Sequence, residues 1–140
     1  MISFVIPNSV TTIKERAFGN CYKLQGINIP DSVTTLEAKT FSGCSGLKTV
    51  SLSNSLTKLE DELFYGCYEL TDIIIPNGVT AIGKRTFSSA SVLKSVTIPA
   101  SVTLIDEYAF YDNFNLKTVK YAGTKAEFCS KKARDYARAL

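Results

Sequence analysis

The sequence repeats itself every 23 residues without a gap, and this repeat limits what the chain can fold into. Threonine, phenylalanine and leucine each recur at one position of five consecutive units. The positions are Thr11, Thr34, Thr57, Thr80 and Thr103; Phe18, Phe41, Phe64, Phe87 and Phe110; and Leu24, Leu47, Leu70, Leu93 and Leu116. A unit of this length cannot bury its own apolar face, so consecutive units must stack. The repeat therefore predicts a solenoid whose core consists of ladders of equivalent side chains.

Each repeat unit, which we call a coil, divides into three parts. Residues 24–29 alternate apolar and polar side chains before Pro30, which predicts a short strand that ends at the proline. Residues 33–36 are rich in β-branched side chains and predict a second short strand. Residues 37–44 are mostly polar around an apolar Phe-x-x-Cys pair and predict one or two helical turns. We therefore expect an α/β repeat solenoid with one main parallel sheet, a second side of short strands and short helical turns.

The predicted solenoid spans residues 1–124, with a partial first coil at 1–6 and five 23-residue coils at 6–120. We number these coils from 1 (residues 6–28) to 5 (residues 98–120). Residues 125–140 predict an amphipathic helix that caps the last coil, because Thr124 and Glu127 match a capping box. The basic face of this helix is interpreted as solvated rather than membrane-binding.

The N-terminal residues 1–6 take the place of a strand whose own coil is missing, with Phe4 and Ile6 at ladder positions. Solenoids need a polar cap at each end, and an uncovered apolar edge strand pairs readily with another chain. Two interpretations stay open. Either the chain is the C-terminal part of a longer array, which we favour, or its uncapped N-terminal edge self-associates with a second copy.

The repeat resembles a known family. The pattern Leu-x-x-Ile-x-Ile-Pro-x-Ser-Val-Thr that begins at Leu24, followed by Phe-x-x-Cys, is similar to the bacterial BspA-like leucine-rich repeat over residues 1 to about 124. The departures are Ser53, which replaces the proline, and Ala90 and Asn113, which replace the cysteine. The resemblance implies a curved right-handed solenoid from a cell-surface or secreted bacterial protein that binds other proteins or cells.

Histidine and cysteine, two residue types common in enzyme active sites, are respectively absent from the chain and spaced as the repeat requires. The chain has no histidine, which is the commonest general base and metal ligand. Cys21, Cys44 and Cys67 lie 23 residues apart, unlike the closely spaced cysteines of a zinc site. We interpret them as a ladder of small buried thiols that Ala90 continues. We therefore predict no enzymatic activity, no cofactor and no metal site.

The charge distribution argues against nucleic acid and membranes as partners. Residues 1–124 contain eleven basic and eleven acidic side chains, so the body has no basic face. No apolar run has the length of a membrane span, and the first residues lack the pattern of a signal peptide. We expect neither nucleic-acid binding nor membrane insertion. Because free thiols are common in reducing compartments, a cytoplasmic location stays open beside the cell surface.

Two outward columns of the main strands vary from coil to coil, while the ladders beside them do not. The repeat fold requires no particular residue type at these positions, so they are the candidate site for a protein or glycan ligand. The candidate residues are Asn28, Thr49, Ser51, Asp72, Ile74, Ser95, Thr97, Thr118 and Lys120. A second, aromatic set consists of Tyr22, Tyr68 and Phe114, with Tyr65 and Tyr111 nearby. The alternative function is a structural spacer or self-associating segment without its own ligand.

Overall fold

The structure, a computed structural model, describes residues 2–106 and 108–122. Each coil in this range contributes one longer and one shorter strand. The longer strands are β1 (Ile2–Val5), β3 (Leu24–Asn28), β5 (Thr49–Ser51), β7 (Asp72–Ile74), β9 (Ser95–Ile98) and β11 (Thr118–Tyr121). The shorter strands are β2 (Thr12–Ile13), β4 (Thr35–Leu36), β6 (Lys58–Leu59), β8 (Ala81–Ile82) and β10 (Leu104–Ile105).

The strands pair in parallel with a register of one repeat, so that each residue lies beside its equivalent. Ile27 pairs with Val50 in β3 and β5, and Val96 pairs with Val119 in β9 and β11. A tight turn follows the strand at the proline: the Val33 N–H, for example, donates to the carbonyl of the proline three residues before it at 3.0 Å. The predicted parallel strands on two sides of the coil are therefore confirmed.

The predicted phenylalanine ladder is confirmed. Consecutive rings from Phe18 to Phe110 are stacked, with centroids 5.2–5.6 Å apart and planes within 16° of each other. The four rings after Phe18 are buried, whereas Phe18 is half-buried and contacts Phe4 edge-on at 5.4 Å. Equivalent side chains contact each other from coil to coil, and the core is continuous through all five coils.

The predicted helical turns are wrong, and so is the α in the α/β fold class: the described residues hold strands and turns but no helix. In residues 37–44 the backbone N–H groups alternate between two kinds of partner. Those of Lys39, Phe41 and Gly43 donate to carbonyls of the next coil at 3.0, 3.0 and 2.8 Å. Those of Ser42 and Cys44 donate three residues back at 3.1 Å. A helix needs every N–H to bond within its own segment, so stacking of the coils competes with helix formation and prevails.

Left-handed backbone at two columns also interrupts helical geometry. Both columns have φ between 55° and 77° in every coil, including at residues other than glycine. The first column is Arg16, Lys39, Glu62, Arg85 and Tyr108, and the second is Asn20, Gly43, Gly66, Ser89 and Asp112. Because a right-handed helix excludes positive φ, this side of each coil is a succession of tight turns. We call it the turn side. The predicted helix at 125–140 lies outside the described residues.

The boundary between coils 2 and 3, which we call the seam, lacks regular pairing on both strand sides. Among the described strands, β5 pairs with β3 and β7 with β9, but β5 does not pair with β7, nor β4 with β6. Where the ladder is regular, the Ile29 N–H donates to the Ser51 carbonyl at 2.8 Å. The equivalent bond from the Leu52 N–H to the Ile74 carbonyl is not formed. The main sheet is therefore divided into two three-stranded parts.

The turn side stays joined across the seam through the bonds that Lys39, Phe41 and Gly43 donate to coil 3. Ser53, at the position where other coils have proline, provides a further link. Its hydroxyl is buried and donates to the Val33 carbonyl at 2.6 Å. At the seam the strands are therefore not hydrogen-bonded to each other, whereas the turn side and Ser53 still donate hydrogen bonds across it.

Candidate binding face

The main strands present the predicted site residues on one face, as the two outward columns require. Asn28 pairs with Ser51, and Thr97 lies between Ile74 and Lys120 in the second column. In the first column Ser95 lies between Asp72 and Thr118. All nine candidates are exposed except Ser95 and Thr97, which are half-buried at the centre of their three-stranded part. Successive side chains along each strand point inward and outward in turn, so the nine residues share one outward face.

A shallow groove of about 320 Å³ opens on this face where the seam separates β5 from β7. Four of the nine candidates line it: Thr49 and Ser51 from one strand, Asp72 and Ile74 from the other. The remaining candidates lie outside it, Asn28 one strand away and the others on β9 and β11. The groove exists because the strands that form its walls are not hydrogen-bonded to each other.

The four candidates bring one charge, two hydroxyls and one exposed apolar side chain to the groove, whose other lining residues are Val50, Leu52, Asn54, Ile73 and Pro76. Asp72 is its only charged lining residue, and its carboxylate accepts a hydrogen bond of 3.2 Å from the Thr71 hydroxyl. Ile74 is 71% exposed, far more than a side chain held by the core. An acceptor beside an exposed apolar group suits a partner that offers a donor or cation next to an apolar side chain.

The cysteine column is structural in the described coils. Cys44 and Cys67 are buried, and each thiol donates to the carbonyl of a ladder phenylalanine in the preceding coil, at 3.0 and 3.4 Å. Burial raises the pKa of the Cys44 thiol to about 11 and that of Cys67 further, so both stay protonated and unreactive near neutral pH. Cys21 is half-buried rather than buried, in the first coil. The predicted buried ladder therefore begins at Cys44.

Asn113 shows what sequence reasoning missed in this column. It is buried, and its side-chain amide donates to the Phe87 carbonyl at 2.8 Å, as the thiols do in their coils. At Cys44, Cys67 and Asn113 the column therefore supplies a hydrogen-bond donor, whereas Ala90 fills it in coil 4 without one. The alternation of cysteine with asparagine, two donors, was the available signal.

The predicted aromatic set lies on the surface. Tyr22, Tyr68 and Phe114 are 64%, 52% and 83% exposed. Tyr65 and Tyr111 belong to a different place, a cavity on the turn side that also contains Tyr108, a residue that the sequence analysis did not select. The signal for that cavity was present in the repeat, because Tyr65 and Tyr111 occupy a column that is otherwise glycine or serine.

Residues 2–106 and 108–122 contain no group of three side chains suited to hold a metal ion. The same residues include no helix with the length and apolar character to cross a membrane.

The family model described as BspA type leucine-rich repeat region matches residues 1–123 in six copies. A leucine-rich cell surface protein from Faecalibacterium prausnitzii is 34% identical over 91% of this chain, with a TM-score of 0.90. A leucine-rich repeat protein from T. pallidum is 30% identical over 84% of the chain, with a TM-score of 0.82. The pneumococcal vaccine antigen PcpA is 25% identical over 90% of the chain, with a TM-score of 0.80.

The chain spans only part of these relatives. It covers 34% of the Faecalibacterium protein, 57% of the T. pallidum protein and 31% of the pneumococcal antigen. A comparison with curated protein sequences gave no significant match.

Proposed function

Because this chain belongs to the BspA-type leucine-rich repeat family, we propose that it is a non-catalytic binding module whose strand face holds a protein or a cell-surface polymer. The observation that carries the proposal is the groove at the seam, where four variable residues meet on an otherwise regular face. A purely structural array gains nothing from an exposed isoleucine beside an aspartate at the boundary where, among the described coils, strand pairing is interrupted.

We further propose that the chain acts at the cell surface, as part of a larger protein. The Faecalibacterium relative is described as a cell surface protein, and this chain covers about a third of it. The lack of histidine and the burial of Cys44 and Cys67 support a role without catalysis. The groove is shallow and has no tryptophan or arginine in its lining, so we expect micromolar or weaker affinity for each partner.

A capture experiment tests the proposal. The chain is immobilised, exposed to extracellular matrix proteins and to bacterial surface extracts, and the bound species are quantified. Asp72→Lys and Ile74→Asp are expected to reduce capture by at least tenfold, since each removes one feature of the groove. Glu15→Lys makes the same change of charge as Asp72→Lys, at an exposed position on the other side of the coil, and is expected to leave capture unchanged.

Lys120→Glu, at the far end of the face, measures how far the contact extends beyond the groove. Capture that none of the strand-face variants alters, or no capture at all, would overturn the proposal. That result would favour the alternative function, a structural spacer in a longer array.

A further inference from the structure

The turn side of coils 3 to 5 contains a cavity of about 360 Å³ that differs in character from the strand-face groove. Three tyrosines, Tyr65, Tyr108 and Tyr111, line it together with Arg85 and Asp112. Its volume lies at the lower end of the range of small-molecule sites, about 300–1,000 Å³. Aromatic rings beside a few convergent polar groups are the usual lining of such sites.

Two of the tyrosines form a corner. The rings of Tyr108 and Tyr111 are 5.4 Å apart at 82°, and the Arg85 guanidinium lies 5.7 Å from the centre of the Tyr108 ring. The fold does not require a tyrosine at position 111. The equivalent residue is glycine in coil 1 and serine in coils 2 and 4, so Tyr111 and its equivalent Tyr65 add aromatic surface that these three coils do without.

The charge of Arg85 is available. Among the described residues, none of the ion pairs involves Arg85, and its guanidinium lies over the Tyr108 ring. A guanidinium is a planar donor that suits a carboxylate, with two parallel hydrogen bonds. The arginine therefore favours a ligand that carries a carboxylate.

The backbone around the cavity is already hydrogen-bonded. The Phe87 N–H donates to the Ala109 carbonyl and the Ser89 N–H to the Tyr111 carbonyl, both at 2.8 Å. A peptide that binds by adding a strand needs a free backbone edge, and these groups offer none. A ligand held by rings, hydroxyls and charge fits better than an extended peptide.

We propose that this cavity binds an acidic sugar, a pyranose ring that carries a carboxylate. The apolar C–H groups of the pyranose pack against the tyrosine rings, which combine apolar faces with a polar hydroxyl. The carboxylate of the sugar pairs with Arg85, and Asp112 accepts hydrogen bonds from sugar hydroxyls.

A neighbouring cavity indicates that the ligand is a chain of such sugars. This second cavity, of about 290 Å³, contains Arg16, Lys39 and Glu62, and Tyr65 lines both cavities. Equivalent residues of stacked coils are about 4.8 Å apart, so the two cavities run along the solenoid in line. A linear acidic polysaccharide therefore meets Arg85 in one cavity and Lys39 in the other.

The test is an NMR titration of the full ¹⁵N-labelled chain with three probes. Methyl α-D-galacturonide and methyl α-D-galactoside differ at the carboxylate, and tetragalacturonate extends the first along a chain. We expect saturable shifts at residues 85–112 with the galacturonide, at least tenfold weaker binding of the galactoside, and at least tenfold tighter binding of the tetramer.

Tyr111→Ser introduces a residue that equivalent coils already have at this position, and Arg85→Gln removes a charge at an exposed position, so we expect both variants to keep the fold. Tyr111→Ser copies Ser42 and Ser88 and is expected to weaken galacturonide binding at least tenfold, whereas Arg85→Gln removes the preference for the galacturonide over the galactoside. The matched control is Tyr68→Ser, at an exposed tyrosine outside both cavities whose equivalents are Ser45 and Ser91. It is expected to bind normally.

Three results would overturn this proposal: no saturable shift with any probe, equal binding of the acidic and neutral glycosides, or tighter binding of a hexaglutamate peptide than of tetragalacturonate. Lys39→Gln is expected to weaken the tetramer and leave the monomer unchanged. The strand-face variant Asp72→Lys is expected to have no effect here, so this proposal and the proposed function of the strand face fail or succeed separately.

Discussion

The seam and the boundary between coils 4 and 5 are made from the same columns of residues but are held together differently. At the boundary of coils 4 and 5, β9 pairs with β11 over four residues and β8 with β10 over two. At the seam neither side of strands pairs, and the backbone bonds that remain are on the turn side. The ring stacking hardly differs: 5.6 Å between Phe41 and Phe64 against 5.2 Å between Phe87 and Phe110.

This difference shows that the core and the strand ladder make separate contributions to one boundary. The stability of a solenoid is approximately a sum of coil and nearest-neighbour terms. The seam keeps its core and loses part of its hydrogen bonding, so it is the boundary with the smallest neighbour term. We therefore expect coils 1–2 and coils 3–5 to behave as two partly independent blocks.

The largest expected effect comes from breaking the ladder at the seam. Phe64 is buried between Phe41 and Phe87, and Phe64→Ala is expected to cost about 3–5 kcal/mol of unfolding free energy because it leaves a cavity in the core. It also removes the contact on which the seam depends. We therefore expect urea unfolding, followed by circular dichroism, to change from one transition to two.

The matched control is Phe87→Ala, which removes an equally buried ring where the strands beside it are paired. The same loss of stability with a single transition is expected. If both variants unfold in one step at the same urea concentration, the two boundaries are equally strong and the comparison fails.

A smaller effect is expected from the link that replaces the missing proline. Ser53→Ala leaves the Val33 carbonyl without its 2.6 Å hydrogen bond in a buried site, which costs about 1–3 kcal/mol. Ser101→Ala removes a similar bond of 2.7 Å to the Val79 carbonyl, where partial exposure lets water replace the hydroxyl. We therefore expect Ser101→Ala to lose less stability than Ser53→Ala, and thermal unfolding of both variants measures this difference. A larger loss for Ser101→Ala would contradict the expectation.

Hydrogen exchange reports the missing ladder bond directly. Leu52 is a buried residue whose amide has no hydrogen-bond acceptor among the described residues, whereas the equivalent Ile29 and Ile75 amides are bonded at 2.8 and 3.0 Å. We expect the Leu52 amide to exchange at least tenfold faster, which corresponds to about 1.4 kcal/mol less protection. Equal protection of all three amides, measured by NMR, would show that the seam is closed in solution.

Columns made the solenoid predictable from the sequence. A phenylalanine every 23 residues specifies stacked rings because stacking buries each ring against its equivalent in the next coil, and alternating strand residues specify which face is outward. Ser53 pointed to an irregular third coil because it departs from its column. The sequence therefore contained the ladders and the outward direction of the strand columns, but it indicated only a local irregularity near Ser53 and not the loss of strand pairing at the seam.

The turns were not predictable in the same way, because their conformation is decided between coils. Spacing of Phe41 and Cys44 fits one turn of helix equally well, and only the neighbouring coil's carbonyls make the alternative favourable. For the same reason, the groove at the seam depends on hydrogen bonds that two strands fail to form. Hydrogen bonds between strands cannot be read from a single sequence, so the sequence did not indicate which four of the nine candidates line a groove.

The smallest expected effect tests the turn side of the seam, where both coils have glycine at the second left-handed column. Gly66 has φ of 71°, and a methyl group added there would be 3.9 Å from its nearest neighbours, so Gly66→Ala tests backbone strain without a clash. We expect a loss of about 1 kcal/mol. Ser89→Gly, at φ of 61° away from the seam, relieves the same strain and is expected to stabilise by less than about 1 kcal/mol. Chemical unfolding measures both, and a Gly66→Ala chain as stable as the parent would mean that the turns of the seam bear no such strain.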